Sequence, residues 1–187
     1  MRLLFCGDLV GRSGRDVVVE RLPGLRRDLA LDLVVANGEN AAGGFGITQK
    51  ICDELYKAGV DCITTGNHVW DQKETTGFIG SDPRLLRPIN FPAGTPGKGS
   101  GIYQTTQGKK VMVATIMARL FMDPLDAPFQ AAEQLLRAHK LGGNVDAILI
   151  DFHGEATSEK MAMGHYLDGK VSLVVGTHTH VPTADHM

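Results

Sequence analysis

Leu31-Asp32-Leu33-Val34-Val35-Ala36-Asn37-Gly38-Glu39-Asn40 sets a short, valine-rich apolar run against an abrupt polar ending. A run of that length and β-branched content suits a buried strand rather than a helix, and Asn-Gly is a turn dipeptide. The same device recurs along the chain. Gly7-Asp8 follows an apolar run at 3–6, Gly66-Asn67-His68 follows 60–65, Phe152-His153-Gly154 follows 145–150, and Gly176-Thr177-His178-Thr179-His180 follows 171–175. A further apolar run lies at 111–116. Segments 14–29, 48–58, 129–140 and 158–167 have helical character, with Pro23 expected to interrupt the first. Strands alternating with helices predict an α/β layered fold. Residues 87–101 are rich in Pro and Gly and read as a long surface loop. Beyond it, 101–106 and 111–118 flank Gly108 like an antiparallel hairpin, which breaks the βαβ rhythm and predicts a second sheet.

With 187 residues, the chain is long enough for one domain with a genuine core and short for two, so 1–187 is read as a single domain. A net charge of -2 carries no electrostatic footprint for duplex nucleic acid. No apolar run approaches the roughly twenty residues that span a bilayer, so no membrane partner is expected. The N-terminal apolar run is too short for a signal peptide and reads as a first strand. Cys6, Cys52 and Cys62 are odd in number and show no C-x-x-C spacing. Cys6 and Cys62 sit in apolar runs, which predicts buried thiols and a cytoplasmic protein.

Ligands in open α/β sheets bind outside the carboxyl ends of the strands. Parallel strands would therefore bring the five polar clusters to one sheet edge. Taken singly, each has an ordinary reading: Gly-Asp and Asn-Gly are turns, Glu39 a solvated charge, His153 a hydrogen-bonded strand end. His178-x-His180 says more, because alternate strand residues share a face. Together, Asp8, Glu39, Asn67, His153, His178 and His180 form a donor set of carboxylates, an amide and imidazoles, joined by nearby asparagines. Such a mixture suits Fe, Mn, Zn or Ni better than Mg or Ca. It exceeds the needs of one tetrahedral zinc and suits two metals sharing a carboxylate. The segment Ala41-Ala42-Gly43-Gly44-Phe45-Gly46 lacks P-loop and dinucleotide spacing and reads as a flexible loop beside the site, a candidate substrate contact. His139 and His165 are expected to be exposed, His186 to lie in a frayed terminus, residues 24–28 to form a solvated helix face, and Met161 and Met163 to fill the core.

In order along the chain stand Gly7-Asp8-x-x-Gly11, Asn37-Gly38-Glu39-Asn40-x-x-Gly43-Gly44 and Thr65-Gly66-Asn67-His68-x-Trp70-Asp71. They are followed by Asp151-Phe152-His153-Gly154-Glu155-Ala156-Thr157-Ser158-Glu159-Lys160 and Gly176-Thr177-His178-Thr179-His180-Val181-Pro182-Thr183. This ordered set resembles the calcineurin-like metallophosphoesterases and, more narrowly, the bacterial YmdB-type family associated with 2′,3′-cyclic nucleotide phosphodiesterase activity. The resemblance implies a sandwich of two β-sheets flanked by helices, the second sheet incomplete in this chain. The superfamily usually carries an Asp-x-His at the first strand and a bridging Asp; here Val10 and Glu39 stand in those places. In the narrower family Asn40 takes a ligand role. The implied allocation gives one metal Asp8, Glu39, Asn40 and His180, and the second Glu39, Asn67, His153 and His178, with Glu39 bridging. The oxygen-rich first site points to iron or manganese, with zinc and magnesium as the other options. Family members usually continue well past the His-Thr-His segment, so the sequence is expected to be a fragment or to lack its continuation.

The expected chemistry is hydrolysis of a small, nucleotide-like phosphate ester. Two cations would clamp the phosphate oxygens and acidify a water held between them, which then attacks phosphorus. His68, adjacent to a ligand, is the expected acid for the leaving oxygen. A non-catalytic regulator or scaffold that uses metals to stabilise its fold is the alternative. An amidohydrolase-type barrel also uses His-x-His, but early in a longer chain. A homo-oligomer is compatible with the sequence.

Overall fold

The computed structural model describes residues 1–181 and 183. The elements run β1 (Leu3–Cys6), α1 (Gly11–Asp28), β2 (Leu33–Asn37), α2 (Gln49–Ala58), β3 (Cys62–Thr64), α3 (Thr75–Phe78) and β4 (Leu85–Leu86). Then come β5 (Ser100–Gln104), β6 (Lys110–Met117), α4 (Pro128–Ala138), β7 (Ala147–Gly154), α5 (Thr157–Leu167) and β8 (Leu173–His178). β1 to β4 form one parallel sheet in sequence order. β5 to β8 form a second, in which β5–β6 is the expected hairpin and β6, β7 and β8 run parallel.

Side-chain alternation decides how the layers stack. Leu33 and Val35 of β2 and Cys62 of β3 pack with Val111 and Val113 of β6 and Ala147 and Leu149 of β7, a core between the two sheets. The intervening residues Val34 and Ala36 face Leu22 of α1 and Ile51, Cys52 and Leu55 of α2. On the other side Met112, Ala114, Ile148, Ile150 and Phe152 face Ala132 and Leu135 of α4 and Met163 and Leu167 of α5. The result is the expected helix–sheet–sheet–helix sandwich, and the central strands β2, β6 and β7 are apolar on both faces because both are covered.

Several expectations change. The five polar clusters do not share one sheet edge: three end strands of the first sheet, two end strands of the second, and the sandwich brings the edges together. α1 runs unbroken through Pro23. Pro23 and Val19, whose carbonyl loses its partner, are both exposed, so water can replace the missing donor. The stretch 87–101 is no simple surface loop. Buried Arg87 and Asn90 pin it from inside, Asn90 through Met117 O at 2.8 Å, Asp126 O at 3.0 Å and the N–H of Met117 at 2.9 Å. Cys52 and Cys62 are buried, but Cys6 only partly. His165 is exposed as expected, whereas His139 is half-buried, its Nδ1 unpartnered among the described residues. His186 lies outside the described residues.

Candidate metal centre

The odd-numbered face that supplies Ala147 and Leu149 to the inter-sheet core continues toward the carboxyl end of β7 as Asp151 and His153, both buried. Asn37 and Thr64 do the same for β2 and β3, and Thr177 for β8, the neighbour of His153 in register. The polar site is thus the inter-sheet core carried past the point where its residues stop being apolar. A buried polar group must find partners there or carry a large desolvation cost.

Glu39, fully buried on the turn after β2, is the hub. Its Oε1 lies 3.1 Å from His153 Nε2 and 3.4 Å from Asn40 Nδ2, and its Oε2 accepts the His68 N–H at 3.2 Å. On one side, His153 Nε2 is 2.9 Å from Asn67 Oδ1 and 3.3 Å from His178 Nδ1. On the other, His180 Nε2 stands 3.1 Å from Asp8 Oδ2 and 3.2 Å from Asn40 Nδ2. Ligand atoms of Glu39, His153 and His178 all lie within 4.8 Å of one another. Every donor named from the sequence therefore stands at one place, as two groups that meet at Glu39.

His178 does not behave as one of two residues on a common strand face. β8 ends at His178, whose φ of 89° is left-handed, and His180 lies beyond the strand. Strand alternation would place His178 opposite Thr177. The left-handed backbone breaks that alternation, and the His178 N–H donates to Asp8 Oδ2 at 3.0 Å across the sandwich. A positive φ at a bulky residue costs free energy and is found where surrounding contacts hold it.

Charge within the cluster is mutually adjusted. Burial would raise the Glu39 carboxyl, yet the hydrogen bond and charge of His153 and the His68 N–H hold it below the usual range. Burial would lower His153, yet Glu39 beside it carries it above the ordinary imidazole value. Burial and then the charge of His153 lower His178. The proton-sharing pair of Glu39 and His153 would be satisfied equally by a cation between them.

Beneath the donors lies a layer that the spacing of motifs did not expose. Asp151 accepts from Asn37 Nδ2 at 3.1 Å and from the hydroxyls of Thr64 and Thr177. Thr177 Oγ1 is in turn 2.9 Å from His153 Nδ1. A hydroxyl has one proton. With that proton given to the carboxylate, Thr177 accepts from His153 Nδ1–H, so Nε2 is the nitrogen that faces Glu39 and Asn67, and it would offer a lone pair there once a cation displaced its proton. Two further carboxylates flank the site: Asp71 Oδ2 at 2.8 Å from His68 Nδ1, and Glu155 Oε2 at 3.3 Å from His178 Nε2. Asp71, three residues after His68, was within reach of a sequence reading. Asp151 and Thr177 needed the pairing of β7 with β8.

The residues fit metal ions on two structural grounds. Asp8 Oδ1 is buried and has no hydrogen-bond partner among the described residues, a condition rarely left in a folded interior. Gly66 closes over the cluster so tightly that a Cβ there would overlap His153 and Glu39, so the backbone has been brought to the donors as closely as a missing side chain allows.

The family model described as YmdB-like protein matches residues 4–187. The chain is 50% identical over 186 residues to the 2′,3′-cyclic-nucleotide 2′-phosphodiesterase of Bacillus subtilis (strain 168), covering 100% of this chain and 69% of that protein. Among solved structures, a hypothetical protein from Thermus thermophilus superposes with a TM-score of 0.92 at 47% identity, covering 100% of this chain and 71% of that one. A novel phosphatase from Mycoplasma pneumoniae superposes with a TM-score of 0.88 at 33% identity, covering 98% and 66%.

Proposed function

The chain belongs to the YmdB-like protein family, and from that premise we propose that it is a two-metal phosphodiesterase of nucleotide-like phosphate esters, 2′,3′-cyclic nucleotides foremost. The observation that carries the proposal is the gathering of Asp8, Asn40 and His180 on one side of Glu39 and of Asn67, His153 and His178 on the other. In this reading the first group together with Glu39 would hold one ion, and the second group together with Glu39 the other. The mixed carboxylate, amide and imidazole set favours iron or manganese. Bound there, the ions supply charge stabilisation for the phosphoryl group and an acidified water as nucleophile.

The protein's own residues do the rest. Asn67 presents Oδ1 toward the His153 side, and Asp8 presents Oδ2 to the His178 N–H and to His180 Nε2 while its Oδ1 is unpartnered among the described residues, so donors on both flanks orient what binds between them. His68 donates its backbone N–H to Glu39, which ties its position to that carboxylate. Asp71 accepts from His68 Nδ1–H, so in the doubly protonated ring the Nε2 proton is the one available for a leaving ribose oxygen. The three free thiols suit a reducing compartment such as the cytoplasm.

His68→Ala tests the assignment. Metal content is expected to persist while turnover of 2′,3′-cyclic nucleotides falls by about 10²–10⁴, the usual contribution of a positioned acid. Unchanged turnover would remove His68 from the mechanism. Two bound metals in the wild-type protein with no hydrolysis across a panel of 2′,3′- and 3′,5′-cyclic esters would instead favour the metal-stabilised regulator.

A further inference from the structure

Phe45 is a large apolar side chain, 58% exposed, yet it occupies a closely held backbone. Ala42 N–H donates to Gly46 O at 2.9 Å and Gly44 N–H to Asn40 O at 3.1 Å, while Gln72 Nε2 donates to Phe45 O at 2.7 Å. Gly43, Gly44 and Gly46 all have positive φ, and a Cβ at Gly46 would press 2.7 Å from Gln72 Cγ. The turn is therefore seated on the 68–72 segment, contrary to the flexible loop expected from its glycines. The Phe45 ring meets the His68 imidazole edge to face, centroids 4.9 Å apart. Both line a cavity of about 310 Å³ that also contains Glu39, His178, His180 and Val10, and Val10 is itself 40% exposed. An aromatic ring and a valine thus stand uncovered on the wall of a cavity whose other side chains are charged or polar.

Resting on the phosphodiesterase reading, we propose that Phe45, with Val10, forms a nucleobase subsite: the base of the substrate stacks on the Phe45 ring while its phosphate lies on the Glu39 side of the cavity. A planar heteroaromatic base is the occupant that an exposed ring fixed beside a phosphate-handling centre suits, because every base has a π-face to offer. Val10 and Phe45 themselves carry no side-chain hydrogen-bonding group that could read one base edge. The subsite therefore discriminates by stacking area, purines above pyrimidines, and against esters without a base. It also keeps the ribose oxygens within the neighbourhood of His68, which shares the ring contact.

The test compares wild type, Phe45→Ala and Phe45→Trp, loaded with manganese, on adenosine 2′,3′-cyclic phosphate and on the base-free cyclic ester glycerol 1,2-cyclic phosphate. Turnover is followed by phosphorus NMR. Any disturbance that Phe45→Ala passes to His68 acts on both esters and cancels in their ratio. The ratio of kcat/KM, nucleotide over base-free ester, is expected to fall about tenfold in Phe45→Ala, mostly through KM, within the usual range for loss of one stacked base. Phe45→Trp should keep or raise it. A ratio unchanged in Phe45→Ala overturns the subsite. A second arm titrates metal-free protein with adenosine 3′-monophosphate and reads upfield ring-current shifts of the adenine protons, expected in wild type and lost in Phe45→Ala. Hydrolysis of both esters with neither ratio change nor shifts leaves the phosphodiesterase standing and removes the subsite. Phe45-dependent shifts in a protein that hydrolyses neither ester remove the phosphodiesterase and keep the subsite.

Discussion

Thr177 shows what a single hydroxyl can decide. It receives His153 Nδ1–H and gives its own proton to Asp151, so it sets which imidazole nitrogen faces the donors. Thr177→Val keeps the volume and removes both bonds. Manganese affinity, measured by competition with a chromophoric chelator, should fall about 10–100-fold, the usual effect of losing a ligand's supporting hydrogen bond. Thr177→Ser should restore it. Equal affinity in the valine and serine variants would show that the hydroxyl only fills space. The candidate donors stood out in the sequence, because Asp8, Glu39, Asn67, His153 and His178 each follow an apolar run and metal chemistry restricts which residue types can serve. Asn40 was placed only with the help of motif resemblance, and His68 by its adjacency to Asn67. The supporting layer was not legible: Asp151 and Thr177 look like ordinary strand residues until register sets them beside His153.

At the scale of elements, apolar runs located six strands, but local rules misjudged some of the boundaries. Proline propensity predicted a break in α1; the helix continues because its proline faces solvent. The strain should still be measurable. Pro23→Ala restores a hydrogen-bond donor to the Val19 carbonyl, and the gain is expected to outweigh the freer unfolded chain by about 1–2 kcal/mol. For a chain of this size that amounts to roughly 3–8 °C in the midpoint of thermal unfolding, followed by circular dichroism. A lower midpoint would show that the backbone conformation Pro23 imposes is needed for packing on the first sheet. The two-residue β4 and four-residue α3 carried no periodic signal, being shorter than a helical or strand repeat. At β8 the expected shared face of His178 and His180 fails because strand geometry ends at His178, where the Asp8 contact stabilises a left-handed residue.

Across the whole molecule, Asp151 joins the sheets, taking hydrogen bonds from Asn37 and Thr64 of the first and from Thr177 of the second. Burial pushes its carboxyl up to about 6, against the pull of His153 and of those donors. An unfolded aspartate titrates near ~3.9. Between these values the folded chain retains a proton that the unfolded chain has released, so this group lowers stability as pH rises from about 4 to about 6, and the penalty is complete above that. Urea unfolding of metal-free protein across that window should show the slope, and Asp151→Asn should remove it. The same slope in the variant would assign the effect to another group. No helix among the described residues is long and apolar enough to cross a membrane. What the sequence by itself determined was local: which segments are apolar and β-branched, where they stop, and which donors stand at the stops, since each depends on neighbours along the chain. Tertiary structure alone decided that two sheets rather than one supply the candidate site, that Glu39 lies between the two donor groups, and that Asp151 lies beneath them. Those facts depend on strand register and on the stacking of two layers, which bring together residues such as Asn37 and Asp151 that are 114 positions apart and share no local signal.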